Sequence, residues 1–333
     1  MKRNLLKKHY GIDAEETTPL GGYPFFKKDN QRYLFIPVDR MEAEELSELE
    51  QMSAHLKNNG DRYVCTFVQT KENSQILKLE KEQLCLLTFQ NPHTRTFQRI
   101  GRKLAKFHYR GRTIPFSVKK TSSMGQWKLF WEKRLDQMEN VWNSMLYQQP
   151  ESDFDRLFLE SFSYYMAMGE NAIQYLVDTE LDDEPKAIDS GTISHSRFTV
   201  HTWGEEQLFR NPFDWVFDHC SRDLAEWTRE RYLQQFRTYQ HDVKSFFADY
   251  QSVEPLSSFA WRLLYARLLF PLHYVDCIEE YYSTQSEQQK RMLSDQLEKF
   301  LMQTNEHERF LKDFFQLVEI PVRQLQIPKI EWL

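Results

Sequence analysis

The sequence predicts an α+β protein of two lobes, a small α+β N-terminal lobe over residues 1–90 and a mainly helical C-terminal lobe over residues 91–333. Three observations predict it. Short runs rich in β-branched and aromatic residues fall in the first lobe, helical periodicity runs almost unbroken from Phe97 onward, and one β-like stretch near 187–218 interrupts that periodicity. A chain of 333 residues with 41% hydrophobic and 15% aromatic content can bury a sizeable core.

In chain order, the first elements are strands at 32–39 (RYLFIPVD) and 62–70 (RYVCTFVQT), bounded by Asp, Asn and Gly. Between them, MEAEELSELEQMSAHLKNNG places Leu46, Leu49, Met52 and Leu56 at helical spacing and ends on Asn58, Asn59 and Gly60, a C-terminal stop. The charge run over 42–50 reads as the solvated face of that helix. A further strand, EQLCLLTF, ends near Asn91 and Pro92. Then FQRIGRKLAKFHYRG, GQWKLFWEKRLDQMENVWNSML and FDRLFLESFSYYMAMGENAIQYLVD each repeat apolar residues three and four apart, and Trp127, Phe130, Trp131 and Trp142 at that spacing read as core. Residues 187–218 alternate as a β-hairpin with polar turns at 204–206 and 211–212, before helices resume at Arg222 and continue to about Leu317.

Composition excludes several classes. Forty-three basic against forty-nine acidic residues give a net charge of −6, and no basic stripe with interleaved aromatics stands out, so no nucleic-acid partner is expected. Cys65, Cys85, Cys220 and Cys277 lack any CxxC spacing and read as reduced, buried thiols rather than a zinc knuckle or a disulfide framework. The N-terminal MKRNLLKKHYGIDAEE has too few apolar residues for a signal peptide. The most apolar window, 259–275, carries Arg262, Arg267 and His273, so it reads as a core helix stopped near Pro271 and not as a membrane span.

Three short motifs lie in order along the C-terminal lobe. The run RIGRKLAKFHYRG at 99–111 resembles the Leu-Ala-x-x-His helix of aminoglycoside phosphotransferase and choline kinase relatives. Ile193, Ser194 and His195 resemble the start of their catalytic loop, and WVFD at 215–218 followed by RDLA at 222–225 resembles their metal-binding aspartate and the Asp-Leu-Ala that opens the next helix. The resemblance implies a protein-kinase-like, aminoglycoside phosphotransferase-like fold. Within that superfamily the whole chain most resembles the CotS-like spore coat-associated proteins of endospore-forming bacilli, YutH type.

A phosphotransferase of this fold needs an N-lobe lysine on the nucleotide phosphates, an aspartate two residues after the catalytic-loop histidine, an asparagine five residues further and a last aspartate for magnesium. Counting from His195, the base position holds Arg197 and the metal-binding asparagine position holds Thr202. Arginine stays protonated and cannot take a proton from an acceptor hydroxyl. Restarting from His201 places Trp203 and Leu208 there, a poorer fit. The strand at 33–38 carries no lysine, which leaves Glu45, Glu48 and Glu50 on the next helix without an obvious partner, and the glycine-rich loop is reduced to Gly21 and Gly22. Of the expected set Asp218 remains, with five residues from there to Asp223 and so little room for a substrate loop.

Each of these residues also has a plain structural reading. His195 reads as a hydrogen-bonding histidine, because catalysis needs a convergent set. Asp218 reads as an N-cap or loop anchor, with residual metal binding as the alternative. No spacing among His195, His201, His219 and Asp218 is diagnostic of zinc. The resemblance gives Asp223 an architectural duty, accepting hydrogen bonds from the catalytic-loop backbone around His195. It also implies a protein made in the mother-cell cytoplasm and laid down on the spore coat, with other coat proteins as partners and no cofactor. The expected function is therefore a coat component with a degenerate kinase fold and a structural or interaction role. An active small-molecule phosphotransferase with a displaced base, or a scaffold that holds magnesium-ATP without turnover, are the alternatives.

Overall fold

A computed structural model describes residues 2–20, 23–38, 41–80, 82–90, 99–203 and 209–333. Gly21, Gly22 and the predicted turn at 204–206 lie outside the described residues, as does the side chain of His201. The chain forms two compact units, one of residues 1–123, 191–230 and 249–254, the other of 124–190, 231–248 and 255–333.

In the first unit, a short helix α1 (Lys2–Leu5) and a helical turn at Leu6–Tyr10 precede β1 (Glu15–Leu20), β2 (Tyr23–Lys28) and β3 (Gln31–Pro37). Helix α2 (Ala43–Asn58) follows, then β4 (Thr66–Val68), β5 (Ile76–Lys78) and β6 (Gln83–Gln90). The strands form one antiparallel sheet in the order β1-β2-β3-β6-β4, with β5 also paired to β6. Successive side chains of a strand point to opposite faces. Accordingly Tyr33 and Phe35 join Leu6, Phe26, Leu84 and Leu86 on one face, and Leu34 and Ile36 join Phe25, Leu46, Leu87 and Phe89 on the other.

Helix α3 (Ile100–Arg112) packs on the hairpin of β7 (Thr192–His195) and β8 (Trp215–Asp218), and α7 (Ser221–Gln234) starts three residues after Asp218. The hairpin pairs Thr192 with Asp218 and His195 with Trp215. Among the described residues between its strands lie a helical turn, α6 (Val200–Trp203), and a 3-10 turn at Pro212–Asp214, and residues 187–189 form another 3-10 turn, so the β reading of 187–218 holds there at 192–195 and 215–218. Local side-chain bonds account for the difference. Thr202 Oγ1 accepts from the Thr199 N–H at 2.8 Å, and Asn211 Oδ1 accepts from the Phe213 N–H at 3.2 Å, offering the backbone an alternative to a ladder. The predicted strand at 62–70 is likewise cut to three residues, because Tyr63 and Cys65 bond the backbone of Arg210 instead.

The second unit holds α4 (Trp127–Met145), α5 (Asp153–Asp182), α9 (Ser258–Leu269), α10 (Leu272–Ser283), α11 (Glu287–Met302) and α12 (Thr304–Leu317); α8 (Tyr239–Gln251) contributes residues to both units. Pro271 separates α9 from α10, and no helix of the described residues is long and apolar enough to cross a membrane. Trp127 and Trp131 are buried and Trp142 is half-buried, whereas Phe130 is exposed, contrary to the core reading of that stripe. All four cysteines are buried and free.

Helix α3 lies on β7 at Gly111, where an added Cβ would come within 2.4 Å of Thr192 Oγ1 and 2.6 Å of the Ile193 backbone nitrogen. In a helix Gly→Ala ordinarily stabilises by about 1 kcal/mol. Here overpacking reverses the sign, and Gly111→Ala is expected to cost about 1–3 kcal/mol in urea denaturation. A stabilised variant would show that α3 does not sit this close to the hairpin.

Candidate functional site

The catalytic-loop residues expected from the sequence lie in the first unit, around Asp223. His195 at the end of β7 and His108 on α3 are both buried. Asp223 Oδ1 accepts from the His195 backbone N–H at 2.8 Å, and Oδ2 lies 2.7 Å from His195 Nδ1 and 3.1 Å from His108 Nε2. His108 Nδ1 faces the Tyr250 hydroxyl at 2.9 Å, and its carbonyl accepts from Thr192 Oγ1 at 2.7 Å. The His195 ring stacks on Phe107 with centroids 5.3 Å apart. Burial pushes the Asp223 carboxyl up, but the charge and hydrogen bonds of His195 and His108 outweigh it and hold it below the ordinary carboxylate range. Burial drives His108 down to about 4 against the pull of Asp223, so its ring is neutral near pH 7 and donates through Nε2.

Asp218 closes β8 and is also buried. Its Oδ1 accepts from the His219 N–H at 2.7 Å, and its Oδ2 accepts from Arg222 Nη1 at 2.8 Å. The same guanidinium donates through Nε to the His195 carbonyl at 2.9 Å and through Nη2 to the Ser196 carbonyl at 3.1 Å. Arg222, in the first turn of α7, thus brings a fixed positive charge to the one remaining metal-type carboxylate and ties it to the loop after β7. In the sequence, the i, i+4 spacing of Arg222 from Asp218 is the one signal of this contact.

Arg197 is exposed and lies 3.7 Å from Glu226, whose carboxylate also faces Arg229 at 3.6 Å. Thr202 Oγ1 is held among the backbone groups of Arg197 and Thr199, at 3.2 Å and 3.0 Å from their carbonyls. Neither the base position nor the asparagine position presents a group of the expected chemistry. His219 accepts from the Ser221 N–H through Nδ1 at 3.1 Å, and no cluster of three or more His, Cys, Asp or Glu able to hold a metal occurs among the described residues.

Glu48 of α2 does have partners. Its Oε1 accepts from the backbone N–H groups of Lys119 and Lys120 at 2.8 Å and 3.0 Å, and its Oε2 from the Thr121 N–H and hydroxyl at 2.8 Å and 2.9 Å. Burial pushes Glu48 up; these donors outweigh it and lower the carboxyl. The same segment runs beside β8, where Phe217 N–H donates to the Thr121 carbonyl at 2.8 Å. Glu50 accepts from Gln75, and the sequence between gave no sign of either contact.

In protein kinases the strand lysine pairs with a glutamate of the following helix, so the nucleotide phosphates lie toward the sheet face turned to that helix. Here that face carries Leu34, Ile36 and Phe25, and Leu46 of α2 packs with them. Phe209, from the segment between the hairpin strands, completes the cluster with its ring 5.3 Å from Phe25 and 5.1 Å from Phe89. Among the described residues, the groups around Asp218 and the α2-packed part of the sheet fit a magnesium-nucleotide poorly. Where it packs with Leu46 of α2 the sheet face is apolar, with Arg32 on that face near the start of β3, and the Asp218 carboxylate already holds a guanidinium.

Residues 3–314 match the family described as "Spore coat putative kinase YutH". The chain belongs to this family. It is 42% identical to the endospore coat-associated protein YutH of Bacillus subtilis (strain 168), over 100% of this chain and 98% of that protein. Among solved structures it is similar to an aminoglycoside phosphotransferase from Alicyclobacillus acidocaldarius, with a TM-score of 0.64 at 15% identity over 92% of each chain. It also resembles a spectinomycin phosphotransferase, with a TM-score of 0.58 at 14% identity over 90% of this chain and 93% of that one. The fold is the protein-kinase-like fold of the aminoglycoside phosphotransferases.

Removing the Asp223 carboxylate leaves buried donors unpaired. Asp223→Ala is therefore expected to cost roughly 1–3 kcal/mol in chemical denaturation. Arg197→Ala, at an exposed side chain, should cost under about 1 kcal/mol. Equal and negligible losses would mean that Asp223 does not hold the loop. A second expectation follows from His108, which titrates at 6.5 unperturbed and at about 4 in the folded protein. The unfolded chain takes up that proton first, so stability should fall as pH drops from 6.5 through about 4. Denaturation midpoints across that window should fall less steeply in His108→Gln.

Proposed function

We propose that this protein is an endospore coat-associated component with a degenerate kinase fold, serving a structural or interaction role without phosphotransfer. It is made in the mother-cell cytoplasm and laid down on the spore coat, where its partners are other coat proteins. The observation that carries the reading is the Arg222 clamp, in which one guanidinium spans the Asp218 carboxylate and the carbonyls of His195 and Ser196. A magnesium ion entering there would have to displace a charge-assisted pair whose other bonds are made to the loop backbone. Arg197 at the base position gives the same direction, since a guanidinium can neither accept the acceptor proton nor be deprotonated at ordinary pH. The apolar cluster closed by Phe209 adds that Leu34 and Ile36, which pack with Leu46 of α2, offer a triphosphate no charge, while Arg32 on the same face stands near the start of β3. What these residues do instead is hold the loop: Arg222 and Asp223 fix its entry, and Thr202 fixes its turn.

Magnesium-ATP at a hundred times a micromolar-range dissociation constant would stabilise a protein that bound it by about 2.7 kcal/mol. The expected thermal shift is nil, with no substrate-dependent ATP turnover. Turnover that disappears in Asp218→Ala would overturn the proposal in favour of a phosphotransferase with a displaced base, and a shift without turnover would favour a nucleotide-holding scaffold. On the cellular side, the protein should fractionate with the coat of mature spores. Uniform presence in vegetative cytoplasm with none on spores would count against it.

A further inference from the structure

Helix α3 has two opposed faces. Its buried residues, Leu104, Ala105, Phe107, His108 and Gly111, face the core, and no acidic residue occurs from Arg99 to Arg112. At 100° per residue, Arg99, Arg102, Lys103, Lys106 and Arg110 fall within an arc of about 100° on the other side. From Arg99 to Arg110 the stripe is about 16 Å long at 1.5 Å per residue.

Carboxylates do not neutralise this stripe. Arg99 lies 3.6 Å from Asp249, and Arg110 lies 3.6 Å from Asp61, which Arg210 also contacts. Arg102, Lys103 and Lys106 make no ion pair among the described residues. Lys103 and Arg210 both lie over the Tyr63 ring, at 5.4 Å and 5.6 Å. Burial, followed by the charge of Arg210, lowers the Lys103 ammonium below its ordinary value. Lys103, Arg110 and Arg210 therefore converge on one carboxylate, Asp61, on a chain whose net charge is −6.

We propose that the basic face of α3 docks an acidic segment of a partner polypeptide. Such a segment supplies the missing negative charge at several points along the stripe, which a single small anion does not span. Single-stranded nucleic acid fits less well, because its bases would need exposed aromatic rings to stack on and the helix offers Tyr109 alone, beside the stripe. The inference stands on charge placement and does not depend on the loss of phosphotransfer.

The test uses a fluorescein-labelled peptide of alternating glutamate and serine, with binding read by fluorescence anisotropy at low and at physiological salt. The triple variant Arg102→Ala, Lys103→Ala, Lys106→Ala keeps good helix formers on α3. It is expected to bind at least about 10-fold more weakly than the parent. A control variant, Lys290→Ala, Arg291→Ala, Lys299→Ala on α11, removes the same charge elsewhere and should bind as the parent does, with added salt weakening both. Equal weakening in both variants would reduce the effect to net charge and overturn the proposal. So would absence of peptide binding, or tighter binding of a single-stranded oligonucleotide. Self-association of the parent that the stripe variant loses would identify the occupant as a second copy and overturn the partner assignment.

Discussion

The carboxylate of Asp223 is the constraint on which the first unit depends. It takes the His195 N–H and the rings of His195 and His108, and through Tyr250 the chain of bonds reaches α8. Burying an anion costs several kcal/mol, and the cost is met here by donors fixed on β7 and α3. One charge therefore sets the position of the hairpin, the helix beneath it and the start of α7. A neutral His108 suits this arrangement, since it can donate to Asp223 through one nitrogen and accept from Tyr250 through the other without adding a second buried charge.

Around that centre, interactions that would serve a ligand in an enzyme of this fold are made within the chain. The guanidinium of Arg222 meets Asp218, backbone amides at 119–121 meet Glu48, and Phe209 meets the sheet face beside Phe25 and Phe89. These contacts are cooperative in one respect. The segment held by Glu48 also bonds β8, so the helix that would position a strand lysine is tied to the hairpin that ends in Asp218. Through these contacts α2, β8 and the segment at 119–121 hold one another in place.

Much of the architecture was legible in the sequence, and the reasons are local. Helices α2, α3, α4 and α5 carry strong apolar periodicity, and Pro271 marks the α9–α10 break. Strands β1 and β2 went unread because EETTPL and YPFFKK alternate weakly and are held by pairing across the sheet. The stretch at 187–218 carried a β-like pattern whose middle is claimed by side-chain bonds of Thr202 and Asn211. Within the site, the histidine, the two aspartates and the altered positions could be placed by motif. Glu48 and Phe209 could not, because their partners lie far away in sequence and ordinary residues supply them: backbone amides at 119–121 for Glu48, Phe25 and Phe89 for Phe209.

The stripe on α3 was hidden for a related reason. Spaced along RIGRKLAKFHYRGR, its cations are interleaved with apolar residues and look unremarkable beside an acidic total. The helix sorts them, because the same 3.6-residue period that turns Leu104 and Phe107 inward turns Arg102, Lys103 and Lys106 outward. Like charges at i, i+4 repel by a few tenths of a kcal/mol per pair, so the face is mildly unfavourable as it stands. In the interior of this unit, positive charge is matched: Arg222 by Asp218 and Arg112 by Glu254. Unmatched positive charge lies outside, on a rigid helix anchored by His108 to the Asp223 centre. The buried aspartate bears on that face too, since its bond to His108 holds the helix on which those cations are displayed.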